Sequence, residues 1–265
     1  MPITGTEKPR MDEFESGGAP DKTEDAGQTD QADTALEAEE AEAVELPSLP
    51  KRLFDVFLSP GKVMKAIAQN PAWVGALLVG VFLIALQTAL TWDLTREMMI
   101  EAQRQAALEA GREAPVMPEW FMNVLRYATP IIGMIAITLF TFFFAGVYWL
   151  IFSFVLGDEG RYRQYLAVGT HALFVPAIIG LALVPLKVMT EDVTMTLNLG
   201  NLLFFLPEGY LSNVFRAMDA TSIWSALIIA QGAHSIDPKR SFGSAAVVTL
   251  GITLVFALIS ASFVP

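Results

Sequence analysis

The side chains that enzymes most often use for catalysis are sparse in this sequence. Among 265 residues there are two histidines, His171 and His234, and no cysteine. The chain has no His-Glu-x-x-His zinc motif, no Gly-x-Ser-x-Gly nucleophile elbow and no glycine-rich phosphate loop. Without cysteine, neither a thiolate nucleophile nor a cysteine-held metal is available. We therefore predict no catalytic, cofactor-binding or metal-binding residues, and a protein that is not an enzyme.

His171 is the titratable side chain that lies well inside an apolar segment. Ionisable groups in such segments are functional candidates, because burying charge in lipid is costly. Two interpretations remain open. His171 could relay protons or bind a ligand, as a transporter would require, or it could be a neutral histidine hydrogen-bonded between helices. In the second case, His171→Leu is expected to cost about 1 kcal/mol, the usual worth of such a hydrogen bond.

Charge is distributed very unevenly along the chain. The formal net charge of −11 lies entirely in residues 1–50, which hold 14 acidic and 3 basic side chains. We call residues 1–50 the acidic tail and predict that it is disordered, since it cannot bury enough apolar surface to fold. Two interpretations of the tail stay open: a solvated, self-repelling segment, or a contact for a basic partner.

Residues 51–265 predict an all-α fold, a polytopic membrane bundle of about five spanning helices. The whole chain is 53% hydrophobic and only 17% charged, whereas soluble domains carry about 25% charged residues. A spanning helix needs roughly 20 mostly apolar residues. Four segments meet this requirement: 72–92, 128–157, 165–186 and 242–264. A fifth, 220–236, is shorter and contains several polar side chains.

The basic residues outside the spans predict the orientation of the bundle. They concentrate in three segments: before the first span, between the second and third, and between the fourth and fifth. These basic residues are Lys51, Arg52, Lys62, Lys65, Arg161, Arg163, Lys239 and Arg240. Because such residues favour the cytoplasmic side, the N-terminus and tail are predicted to be cytoplasmic and Pro265 to lie outside. The intervening segments 93–127 and 187–219 are then longer outer loops.

Shorter features suggest how the membrane domain is completed. Ser59 and Pro60 predict a helix start, and the basic, amphipathic segments around them predict juxtamembrane helices on the membrane surface. The apolar run 202–206 is too short to span, and whether it is re-entrant, interfacial or packed on the bundle stays open. The pairs Ala76/Gly80 and Ala257/Ala261 have the spacing that lets helices approach closely.

Three parts of the membrane domain resemble bacterial members of the Yip family, the Ypt/Rab-interacting proteins. The first is the Ser-Pro step with the short helix after it, and the second is a glycine-containing loop before a proline-broken span. The third is an Asp-x-x-x-x-Trp span with a basic loop. In this sequence they are Phe57–Gly61 with KVMKAIAQNPAW, Leu156–Gly160 continuing to Pro176, and Asp219–Trp224 continuing to Lys239 and Arg240. The resemblance implies five spans and a cytoplasmic N-terminus, here in a bacterial inner (cytoplasmic) membrane.

The family resemblance and the lack of recognisable catalytic motifs together indicate a non-enzymatic organiser or adaptor of membrane proteins or lipids. The sequence lacks the Asp-Leu-x-Gly-Pro motif of the eukaryotic branch, so no binding residue is transferred from it. The expected partners are the lipid bilayer, proteins contacted through the acidic tail, and further copies of the chain in a homo-oligomer, with no nucleic acid and no cofactor. The alternative is a small-molecule or ion transporter using spans three and four, since Pro176 and Pro185 interrupt the third.

Overall fold

A computed structural model describes residues 45–113, 116–203 and 205–263. Helices dominate these ranges, with one isolated β-bridge between Asn198 and Asp219, which confirms the predicted all-α class. The helices are α1 Leu49–Leu58, α2 Pro60–Gln69, α3 Val74–Leu90, α4 Trp92–Glu109, α5 Glu119–Trp149, α6 Tyr162–Ala172, α7 Phe174–Thr190, α8 Leu199–Leu202, α9 Tyr210–Ala217, α10 Ala220–Ile236 and α11 Phe242–Ala261. The predicted disorder of the tail concerns residues that lie mostly outside the described ranges, and α1 begins at Leu49 within the segment assigned to it.

All five segments predicted to span the membrane are helical. Three helical units are long and apolar enough to cross a bilayer: α5 with its π-helical continuation (Glu119–Val155), α6 with α7 (Tyr162–Thr190), and α11. A fourth is obtained if α3 and α4, bent by 63° at their junction, count as one. Helices α3 and α10 have 17 residues each, which is the lower limit for a spanning helix.

The segment 93–127, predicted to be an outer loop, is largely helical. It contains most of α4 and the first turns of α5, which begins nine residues before the predicted start of its span. Residues such as Ala, Leu, Glu, Gln, Met and Arg dominate α4, and these have the strongest helix propensities. A unit of 37 residues is about 55 Å long at 1.5 Å per residue, so α5 extends well beyond a hydrocarbon core of about 30 Å.

Proline divides the third predicted span into α6 and α7. Pro176 has no N–H to donate to the carbonyl of Ala172, four residues earlier. The hydroxyl of Ser225 on α10 donates to that carbonyl instead, at 3.2 Å. A side chain from a neighbouring helix thus satisfies the backbone group that the proline leaves open, as a break inside a membrane requires.

Helices α1 and α2 are part of the protein core. Helix α2 starts at Pro60, as predicted, with Ser59 at the N-cap position. The apolar face formed by Val63, Met64 and Ile67 is at most 1% exposed, in a cluster with residues of α6 and α10. This face therefore packs on α6 and α10 rather than on lipid, and the position of α1 and α2 at the membrane surface stays a prediction.

The small residues that permit close helix approach are used within the chain. Ala76 and Ala257 are buried, and a Cβ added to Gly80 would come within 2.9 Å of the Leu173 side chain. Ala257 and Ala261 pack beside Val214 of α9. These positions therefore hold the bundle itself together, and the homo-oligomer remains a prediction that they do not support.

The contact between α6 and α10 leads to a prediction about Gly232. A Cβ at this position would overlap the side chain of Val168. We expect Gly232→Ala to lower the free energy of unfolding by about 1–3 kcal/mol, the usual cost of overpacking a core. The measurement is denaturant or thermal unfolding of the purified protein in detergent.

Gly251→Ala is the matched control for this substitution. Gly251 also lies inside a helix, but its added Cβ would meet no atom within 4 Å. Alanine there should be neutral or stabilising by up to about 1 kcal/mol, because it is the better helix former. Equal effects of the two substitutions would contradict the close α6–α10 packing.

Candidate functional site

The three basic segments meet at one end of the bundle, which we call the basic end. The side-chain amide of Gln164, at the start of α6, donates to the carbonyl of Ala68 at the end of α2, at 2.8 Å. The loop before α6 and the loop between α10 and α11 are joined by an ion pair between Asp158 and Arg240. The alternation of charge along the sequence therefore corresponds to one surface of the folded chain.

Arg240 and Asp158 form the central ion pair of the basic end. The Nε of Arg240 lies 2.9 and 2.7 Å from the two carboxylate oxygens, and its Nη2 lies 2.6 Å from Oδ1. The side chains are only 17% and 5% exposed. This two-pronged geometry is the strongest form of the arginine–carboxylate contact. It raises the pKa of Arg240 above its ordinary value.

Asp237 and Glu159 form further polar contacts between the two loops that the Asp158–Arg240 pair joins. Asp237 accepts hydrogen bonds from the backbone N–H groups of Glu159 and Lys239, which hold the pKa of its carboxyl below its ordinary value. The contribution of Asp237 to stability is thus present at neutral pH and is lost as the pH falls through that lowered pKa. Lys239 also pairs with Glu159 at 2.9 Å, but both side chains are 79% exposed.

His171 lies near the end of α6, beside Arg52 of α1, and its ring is fully buried. Its Nδ1 is 2.7 Å from the carbonyl oxygen of Ala167, and its Nε2 is 3.0 Å from Nη1 of Arg52. The carbonyl can only accept and the guanidinium can only donate. His171 is therefore neutral, with its proton on Nδ1, and it joins α1 to α6. This arrangement favours the structural interpretation of His171 over the proton relay.

Arg52, one of the basic residues that precede the first predicted span, is buried in the structure. Only 8% of Arg52 is exposed, and besides His171 its Nη1 approaches the carbonyl of Ala72 at 3.4 Å. Burial lowers the pKa of its guanidinium from the ordinary value. The sequence contains one signal for this position. Arg52 and the apolar Val56 are four residues apart, so they share a face of α1. In the structure Val56 is fully buried on that face.

His234, the second histidine, also has a structural role. Its Nδ1 lies 2.6 Å from the carbonyl oxygen of Arg240, so it ties the end of α10 to the loop that carries the central ion pair. Within the described ranges, no group of three His, Asp or Glu side chains is placed to hold a metal ion.

An apolar cavity of about 410 Å³ lies among the long helices. Residues of α3, α5, α6, α7, α10 and α11 line it, including Phe144, Pro176 and Phe256. Its polar lining consists of hydroxyl groups, among them Thr141, whose hydroxyl donates to a carbonyl of its own helix. None of the lining residues carries a charge. Such a cavity suits an apolar molecule, because a charged solute would find no compensating group there.

The fold and the basic end define a helical membrane protein in which ion pairs join two charged loops at one end of the bundle. Residues 54–261 match the Yip1 domain family, and the chain belongs to that family. It is similar to the membrane protein YknW of Bacillus subtilis (strain 168), with 29% identity over 229 residues, covering 82% of this chain and 91% of that protein. No solved structure matches the chain significantly.

Proposed function

We propose that this protein is a non-enzymatic organiser of membrane proteins or lipids, with the acidic tail as its contact arm. One observation supports this function more than any other. Helices α1 and α2, which begin where the tail ends, are attached to the bundle through the Arg52–His171 hydrogen bond and a shared apolar core. Whatever the tail binds is then held next to the membrane domain, as an adaptor requires.

The proposal includes an orientation. The basic end would face the cytoplasm of a bacterial inner membrane, since basic residues accumulate on that side. Five crossings would then place the end of α11 outside. With the tail on the cytoplasmic side, the partner would be a cytoplasmic protein or the cytoplasmic part of a membrane protein, with a basic surface that matches the charge of the tail.

We expect removal of residues 1–44 to abolish partner capture without unfolding the membrane domain. This segment holds 13 acidic and 3 basic side chains. The deletion ends at residue 44 because Leu46 packs against the core. The measurement is mild crosslinking in native membranes, followed by affinity purification of the full chain and the shortened chain. Both chains should melt at the same temperature in detergent.

A scrambled tail of the same composition serves as the control for this experiment. Capture that survives scrambling would indicate recognition by charge alone, while loss would indicate a specific motif. Both outcomes support a tail-dependent organiser. Identical partners for the full and shortened chains would contradict it.

The apolar cavity favours a second candidate function, transport by spans three and four. Both spans line the cavity, through Leu173 and Pro176 on one side and Ser225 and Ala226 on the other. Its lining suits an apolar molecule rather than an ion. A small molecule that co-purifies equally with the full chain and the chain lacking residues 1–44, in the absence of any protein partner, would favour this function.

A further inference from the structure

Arg52 has an incomplete set of hydrogen-bond partners. Its Nη1 faces His171 and the carbonyl of Ala72, but its buried Nε has no partner among the residues that the structure describes. In the part of the chain that the structure describes, no carboxylate forms an ion pair with it. A guanidinium cannot release its proton to escape this situation. A buried cation without an anion is costly, so the structure calls for an anionic acceptor from elsewhere.

Arg240 shows what a completed arginine site looks like in the same protein. The Nε and Nη2 groups of Arg240 both contact the carboxylate of Asp158. At Arg52 the acceptors among the described residues are a neutral imidazole and a backbone carbonyl. The missing partner of Arg52 is therefore an anion whose oxygens can accept from the guanidinium, as a carboxylate or a phosphate can.

The surroundings of Arg52 indicate where this anion comes from. Helix α1 buries its arginine but exposes Phe54 by 69% and Leu58 by 78%. That pattern is the reverse of a water-facing helix and indicates that the outer face of α1 touches lipid. Exposed Lys51 lies on the same helix, and exposed Lys62 and Lys65 lie on α2. A cationic surface beside apolar side chains attracts anionic lipids.

We infer that Arg52 is the headgroup site for an anionic phospholipid. The phosphate of that lipid supplies the missing hydrogen-bond acceptor for the Arg52 guanidinium in α1. The acyl chains of that lipid would lie along Phe54 and Leu58, and the lysines would add attraction that the solvent screens. This site is independent of the proposed function, since it requires neither the acidic tail nor a protein partner.

The test measures stabilisation of the purified full chain by phosphatidylglycerol in a neutral detergent. Phosphatidylglycerol should raise the melting temperature, and phosphatidylcholine with the same acyl chains should not. In Arg52→Gln, the phosphatidylglycerol concentration for half of the effect should rise about tenfold, as expected when one charge-assisted contact is lost. Arg104→Gln is the matched control and should leave it unchanged, because this exposed arginine on α4 is not part of the proposed site.

Two further arms identify the source of the anion. Inorganic phosphate at the same concentration should not stabilise the chain, since it lacks the acyl chains that hold the lipid. The chain lacking residues 1–44 should keep the effect of phosphatidylglycerol. If the effect appears only after this deletion, the native partner of Arg52 is a carboxylate of the acidic tail, and the lipid site is overturned.

A photocrosslinking measurement does not depend on the stability of Arg52 variants. A benzophenone amino acid placed at exposed Phe54 should crosslink phosphatidylglycerol in excess over phosphatidylcholine when both are present equally. The same probe at Phe143, which is 64% exposed on α5, should show no preference. Equal labelling of the two lipids at both positions would overturn the proposal.

Discussion

Asp158→Asn is expected to lower the free energy of unfolding by about 2–3 kcal/mol, because it leaves the guanidinium of Arg240 without its carboxylate. Removing one partner of a fully buried ion pair costs about 3–5 kcal/mol. The cost should be smaller here, since the pair borders a polar cavity of about 430 Å³ that water can enter. The measurement is thermal or denaturant unfolding in detergent, with helix content followed by circular dichroism.

Glu159→Gln is a control in the neighbouring residue. It breaks the Lys239–Glu159 ion pair, in which both side chains are exposed to solvent. The free energy of unfolding should stay almost unchanged, since surface ion pairs contribute little. The double variant Asp158→Asn with Arg240→Gln should recover part of the loss, because no unpaired charge then remains. An Asp158→Asn protein as stable as Glu159→Gln would show that the pair does not hold the two loops together.

His171→Leu should cost about 2–3 kcal/mol, more than the 1 kcal/mol expected for a neutral hydrogen bond between spans. The reason is that its partner is the charged Arg52, which would stay buried with one acceptor fewer. His171→Asn keeps one donor and one acceptor and should retain most of the stability. Arg52→Leu combined with His171→Leu should be more stable than additivity predicts.

These variants also distinguish the structural role of His171 from proton relay. If the histidine only joins α1 to α6, stability and the phenotype of gene deletion should change together across the series. A His171→Leu protein of normal stability that nevertheless shows the full deletion phenotype would contradict the structural role. That result would favour transport instead.

Features that depend on local sequence were predictable. A bilayer forces every backbone polar group to pair internally, so long apolar segments become helices wherever they occur. The five predicted segments are all helical for this reason, and α2 begins at Pro60 because proline is favoured at the first position of a helix. The grouping of basic segments at one end follows as well, since consecutive spans alternate in direction. The helicity of residues 93–109 was missed, although their composition favours a helix.

Features that depend on contacts between distant residues could be decided only by the tertiary structure. Arg52 and His171 are 119 positions apart, and Asp158 and Arg240 are 82 apart, so no local pattern links them. The sequence determined that α1 and α2 have an apolar face and a basic face. It could not determine whether the apolar face meets lipid or protein, because both are equally apolar. Packing against α6 and α10 decided that question and buried Val63, Met64 and Ile67. The same packing placed Arg52 beside His171.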